Sequence, residues 1–137
     1  MSDIRKELHE KLLKDIAESK AIIEELGRDN DMLDEDGYPT EACLEIVRKW
    51  HWNDPKGWFE FVKENWLYSN MMWKEIDEPH AFKGDTIVHR HDVSTAGWSG
   101  NESLIQAMQE NGMMWHLNWV QSRRGGHYIF EEYHVKD

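Results

Sequence analysis

The sequence predicts an α+β domain: N-terminal helices, then a β-loop-α-β-β unit that forms a small antiparallel or mixed sheet. Three observations predict it. Apolar residues recur at helical spacing from Ile4 to Trp66. β-branched residues cluster from Thr86 to Val93 around alternating polar ones. Two apolar runs near the C-terminus flank Arg123-Arg124-Gly125-Gly126, which has the composition of a hairpin turn.

The first element spans about Asp3 to Leu26. Ile4, Leu8, Leu12, Ile16, Ile23 and Leu26 make its stripe, Ser2 or Asp3 can cap it, and Gly27 is expected to end it. It forms a unit of residues 1–28. Its stripe offers a surface for a homo-oligomer, although the repeat is too irregular for a coiled coil. Residues 28–37 read as an acidic linker. An EF-hand register with Gly37 at the sixth position puts Met32 first and Cys43 last, where oxygen ligands are required, so calcium is not expected. The remaining 37–137 form a single α+β domain.

Thr40 caps a second helix whose apolar face holds Cys43, Ile46, Val47 and Trp50. Asp54-Pro55 starts a third, which buries Trp58, Phe61, Val62 and Trp66. Between Tyr68 and Lys83 the pattern weakens, and Met71-Met72-Trp73 fits the end of a helix or the start of a strand. Ser99 to Glu102 matches a capping box for a helix that Asn111-Gly112 stops. Met114 to Gln121 and His127 to Tyr133 read as the hairpin strands. A four-residue turn would pair Ser122 with His127, Val120 with Ile129 and Trp119 with Phe130.

Composition narrows the function classes. The chain has 137 residues, 39% hydrophobic and 31% charged, a globular mixture rather than a disordered one. Acidic residues number 27 against 16 basic ones, for a net charge of −11. Direct nucleic-acid binding and an anionic membrane surface are therefore not expected, since both need lysine and arginine. A basic surface on a host protein fits better. The single cysteine, Cys43, excludes an internal disulfide and a cysteine zinc site. The charged N-terminus and the lack of a long apolar run point to the cytoplasm. Nothing in the sequence calls for a cofactor.

Polar chemistry concentrates from Asp92 to His127. Ser94, Thr95, Gly97, Trp98, Ser99, Gly100 and Asn101 lie on a glycine-containing loop between a strand and a helix start. Backbone N–H groups and the helix dipole favour an anion there. The spacing is neither that of a P-loop nor that of a dinucleotide fingerprint. Ser122, Arg123, Arg124 and His127 crowd the hairpin end, and paired arginines suit a carboxylate or phosphate. Together with a wall from Trp98 or Trp119 they would form one anion site, if the two bends meet.

His89 and His91 share a strand face. With His116, or with His127, they are the alternative metal ligands for a metal-dependent hydrolase. Only two such ligands are visibly arranged, so no metal is the preferred expectation. No nucleophile constellation appears: Gly97-Trp98-Ser99-Gly100 breaks the hydrolase elbow spacing. Glu131 and Glu132 point to opposite faces of one strand and cannot act as a pair.

Gly37-Tyr38-Pro39-Thr40-Glu41, Trp50 and Asp54-Pro55 are similar to the first half of small phage- and prophage-encoded proteins of uncharacterised activity. Val93 to Glu102, then Trp119 and Ser122 to Tyr128, resemble their second half. The resemblance runs from Gly37 to Phe130, and Ala96 stands where that group usually has glycine. It implies a phage-type origin and supplies no mechanism. The function expected is a non-catalytic accessory protein that binds a small anionic ligand, such as a nucleotide. The alternatives are an acidic inhibitor of a host enzyme or defence protein, and the hydrolase.

Overall fold

The computed structural model describes residues Ser2–Val135. In chain order the elements are α1 (Ser2–Asp29), α2 (Glu41–Lys49), α3 (Pro55–Glu64), α4 (Ser69–Met72), β1 (Trp73–Pro79), β2 (Thr86–Ser94), α5 (Ser99–Glu110), α6 (Gly112–Asn118), β3 (Trp119–Arg123) and β4 (His127–Val135). The α+β class follows. The strands form one antiparallel sheet in the order β1-β2-β4-β3.

Helix α1 runs past Gly27, where the sequence suggested a stop, and packs against α2. Leu12, Ile16, Ile23 and Leu26 are half-buried, whereas Ile4 and Leu8 are exposed. The acidic segment after it forms a hydrogen-bonded turn. Gly37 turns at φ 84°, Asp34 N–H donates to Tyr38 O, and Thr40 N–H donates to Met32 O. The caps of α2 and α3 form as the sequence indicates. Thr40 Oγ1 accepts from Cys43 N–H at 3.2 Å, and Asp54 Oδ1 accepts from Gly57 N–H at 3.1 Å.

The ambiguous stretch at Met71 is both things at once: α4 ends at Met72 and β1 begins at Trp73. Strand β1 is an edge whose residues after Trp73 are exposed and mostly charged, with Pro79 last. Charge and proline are what keep an edge from pairing further.

Two sequence expectations are corrected in the last third. Met114 does not begin a strand. Residues 112–118 form α6, which buries Met114 and Asn118, one helical turn apart. Asn118 Nδ2 donates back to Met114 O. A short apolar run does not by itself distinguish helix from strand. The hairpin register also differs. Arg123 pairs with His127 and Gln121 with Ile129, around a three-residue turn in which Gly125 and Gly126 have φ 86° and 78°. A bulge at Val120 then restores the expected Trp119–Phe130 pair.

The core joins α2, α3, α5 and α6 to one face of the sheet through Trp58, Phe59, Met108, Trp73, Val93 and Phe130. Along that face the side chains change character. Trp73, Val93 and Phe130 lie under the helices. Asp77, His89, Glu132 and His134, further along the same strands, do not join the core. This change leaves an ionic end on an otherwise apolar face.

Candidate functional site

The two glycine-containing bends do meet. Thr95 N–H donates to Gly126 O at 3.0 Å, and Ser94 pairs with His127 across β2 and β4. Gly126 lies so close to Thr95 that a Cβ would overlap the threonine hydroxyl. The hollow beside this contact is about 650 Å³ and includes Thr95, Gly97, Gly126, Tyr128, Glu102 and Gln106 in its walls.

The other residues proposed for that site are placed elsewhere. Arg123 and Arg124 are exposed and outside the hollow, and Arg123 Nε donates to Gln121 Oε1. Trp98 packs on Tyr38, with ring centroids 4.7 Å apart, over the space that a Cβ on Gly100 would fill. Trp119 stacks on Trp115, and its indole donates to Ser122 Oγ at 3.0 Å. His127 and Ser94 line a separate shallow depression.

Several of these groups hold the chain together. Asn101 is fully buried; its Oδ1 accepts from Leu67 N–H and its Nδ2 donates to Leu67 O. Ser94 Oγ accepts from Ala96 N–H and Thr95 Oγ1 from Gly97 N–H, tightening a turn in which Ala96 and Gly97 have φ 54° and 72°. Ser99 is not the cap. Trp98 occupies that position without a side-chain bond, and Ser99 begins α5 with its carbonyl accepting from Ser103 Oγ. The Trp98 ring covers Gly100 so closely that no side chain fits there.

The denser constellation lies on the ionic end of the sheet face. Opposed positions bring Glu75 beside His91, Asp77 beside His89, His89 beside Glu132, and Ile87 beside His134. A cleft of about 380 Å³ opens there, with Lys56 and Glu60 of α3 on its rim.

At its floor, Trp73 Nε1 donates to His91 Nδ1 at 3.0 Å. An indole nitrogen is only a donor. His91 is therefore the neutral tautomer with its proton on Nε2, which it donates to Glu132 Oε2 at 2.5 Å. Phe59 stacks on the same imidazole at 4.3 Å. Glu132 is 1% exposed, and its second oxygen, Oε1, is buried without a hydrogen-bond partner. His134 Nε2 lies 3.3 Å from Oε1 but out of hydrogen-bonding alignment.

His89 sits between two acids, Asp77 on Nδ1 and Glu75 on Nε2. Burial alone would lower its pKa. The hydrogen bonds to Asp77 and Glu75 and the nearby charges, Glu132 among them, outweigh that and raise it. Glu75 is also ion-paired to Lys63. Burial pushes its carboxyl up, but the bonds from Lys63 and His89 dominate and the net shift is downward.

Glu75, His89 and His91 bring one ligand atom each within 4.8 Å of one another, the spacing of a metal site. His116, on the exposed side of α6, and His127, at the far end of β4, do not join that cluster. The lone pairs are already used. Trp73 takes the one on His91, both nitrogens of His89 face carboxylates, and Glu75 holds Lys63 and His89. A bound metal would have to displace Trp73, whose buried N–H would then have no acceptor.

Sequence reasoning found His89 and His91 and missed Glu75, Asp77, Glu132 and His134. Their signal is the shared two-residue spacing Glu75-x-Asp77, His89-x-His91 and Glu132-x-His134 on three strands. It becomes informative only once the strand pairing is known. No family model, curated protein or solved structure matches the chain.

Proposed function

We propose that the protein is a non-catalytic binding protein for a small polar molecule, and that its site is the sheet-face cleft around Glu132. One observation carries this reading: Glu132 Oε1 is a buried carboxylate oxygen at the wall of an open cleft that receives no aligned hydrogen bond, its nearest cationic group being His134 Nε2 at 3.3 Å. An unsatisfied buried acceptor costs roughly 1–3 kcal/mol, more when charged, and a ligand donor would recover that cost. The wire from Trp73 through His91 fixes the orientation of the carboxylate. His91, held between Trp73 and Glu132, acts in this reading as an orienting group and not as a proton carrier.

The test is a panel of anionic, neutral and cationic small molecules followed by amide and imidazole NMR shifts. Shifts centred on His89, His91 and Glu132 that disappear in Glu132→Gln support the site. Shifts confined to other surfaces, or unchanged in the variant, count against it.

A second reading starts from the 3.0 Å bond that brings Thr95 and Gly126 together: an anionic ligand, such as a nucleotide, held where the two bends meet, although the N–H of Thr95 is already bonded to Gly126 and those of Ala96, Gly97 and Trp98 within the turn. Glu102 in the hollow wall opposes an anion, and the arginines would have to reach in from outside. Calorimetry with a nucleotide panel and the Arg123→Ala/Arg124→Ala double variant checks it. Absence of binding, or no loss in the double variant, removes it.

A further inference from the structure

The cleft has the wrong charge for an anion. Four carboxylates, Glu60, Glu75, Asp77 and Glu132, outnumber the cationic groups of the lining, Lys56 and His89, whose pKa is raised. The body around it is itself strongly acidic, with a net charge of −11. Such a surface concentrates cations.

The choice among cations follows from which acceptors remain. Glu75 and Asp77 are engaged by Lys63 and His89. Glu60 makes no ion pair among the described residues. The deep oxygen without an aligned hydrogen bond is Glu132 Oε1, 3.3 Å from His134 Nε2, and towards solvent stand Glu60 and Asp77, which bonds His89 through Oδ1 alone. Calcium takes six to eight oxygen ligands, more than these carboxylates supply, and magnesium, which binds through one or two carboxylates and keeps most of its waters, would have to bring that hydration shell to an oxygen with almost no exposed surface. Zinc requires imidazole lone pairs, which are taken here. A charged N–H donor requires only oxygens within hydrogen-bonding reach. His134, half-exposed and making no good hydrogen bond to Oε1, can turn aside to admit it.

Building on the cleft reading above, we propose that the ligand is an organic cation carrying an ammonium or guanidinium group, which donates to Glu132 Oε1 while Glu60 attracts it at the rim. An aliphatic amine and a guanidinium share this chemistry.

The experiment is NMR titration of the full chain at low salt with putrescine, methylguanidinium, tetramethylammonium, acetate, glucose and zinc chloride. The expected result is saturable shifts at His89, His134 and Glu132 with putrescine or methylguanidinium. Which of the two binds tighter tells amine from guanidinium. Tetramethylammonium, which has no N–H, should bind at least about tenfold more weakly, as should putrescine to Glu132→Gln, in line with the loss of one charged hydrogen bond. If Glu132→Gln does not fold, Glu60→Gln should weaken putrescine severalfold with native shifts elsewhere.

If acetate or glucose moves the cleft residues and neither N–H cation does, this inference falls while the cleft reading stands. If no compound moves them, both fall. Equal affinity for tetramethylammonium, or no loss in either variant, means diffuse ion attraction and overturns the inference. Zinc shifting His91 as the tightest ligand overturns it in favour of a metal.

Discussion

Trp73 Nε1 donates to His91 Nδ1 across 3.0 Å, and this one bond decides where the His91 proton sits. Because the indole cannot accept, the imidazole must present a lone pair to it and keep its proton for Glu132. The tautomer is readable by nitrogen NMR: His91 Nδ1 is expected to be unprotonated and Nε2 protonated. Trp73→Phe is expected to cost about 1–3 kcal/mol beyond its change in packing and to leave a mixture of tautomers. A single unchanged tautomer in that variant would contradict the assignment.

The same bond predicts that zinc added at neutral pH leaves the wild-type His89 and His91 resonances in place. Trp73→Phe releases a lone pair within the cluster and should bind zinc more tightly than wild type does. Equal zinc affinity of the two proteins, by competition with a chelating dye, would mean that the indole does not guard the site.

His89 should titrate above an ordinary histidine, and Asp77→Asn should bring it down, because one of the two carboxylates on its ring is removed. The stability linked to this raised group is complete below about pH 6.5, the unfolded value, and is lost as pH rises through the folded value. Glu75 works in the opposite direction: its depressed carboxyl stabilises above about pH 4.3 and loses that contribution as pH falls through its folded value. Thermal melts should therefore be highest between these limits, and Asp77→Asn should flatten the alkaline side. An unchanged alkaline slope would show that other groups control it.

Gly126→Ala should destabilise by about 1–3 kcal/mol, because a Cβ would strike the Thr95 hydroxyl and φ is 78°. Gly84→Ala, with open space and no positive φ, should lie within about 0.5 kcal/mol of wild type. Asn101→Ala leaves the N–H and C=O of Leu67 without their partner and should cost about 1–3 kcal/mol. Denaturant melts of the three variants check the order. An Asn101→Ala protein as stable as wild type would return that residue to the list of ligand contacts.

Cys43 should resist thiol reagents. Burial pushes its pKa up to about 12, so almost no thiolate exists at neutral pH. Labelling is expected to appear only across the unfolding transition. Rapid labelling of the native protein would show that α2 opens locally.

The sequence by itself determined what depends on neighbours in the chain. Thr40 and Asp54-Pro55 set two helix starts, apolar spacing set α1 to α3, Asn111-Gly112 set the end of α5, and β-branched alternation set β2, because caps and periodicity act within a few residues. It also placed His89 and His91 on one face. Tertiary structure decided the rest. Met114 is helical because its burial beside Asn118 wins over an apolar run that suits either state. Gly100 is required because the Trp98 ring, packed on Tyr38 from a distant part of the chain, fills the space above it. Ser94 and Thr95 are spent on the turn, and Asn101 on Leu67, a partner 34 residues away. The cleft is the extreme case. Glu75, His89 and Glu132 lie on three strands, and only antiparallel pairing, a long-range event fixed by burial of the opposite end of the same face, brings their charges together.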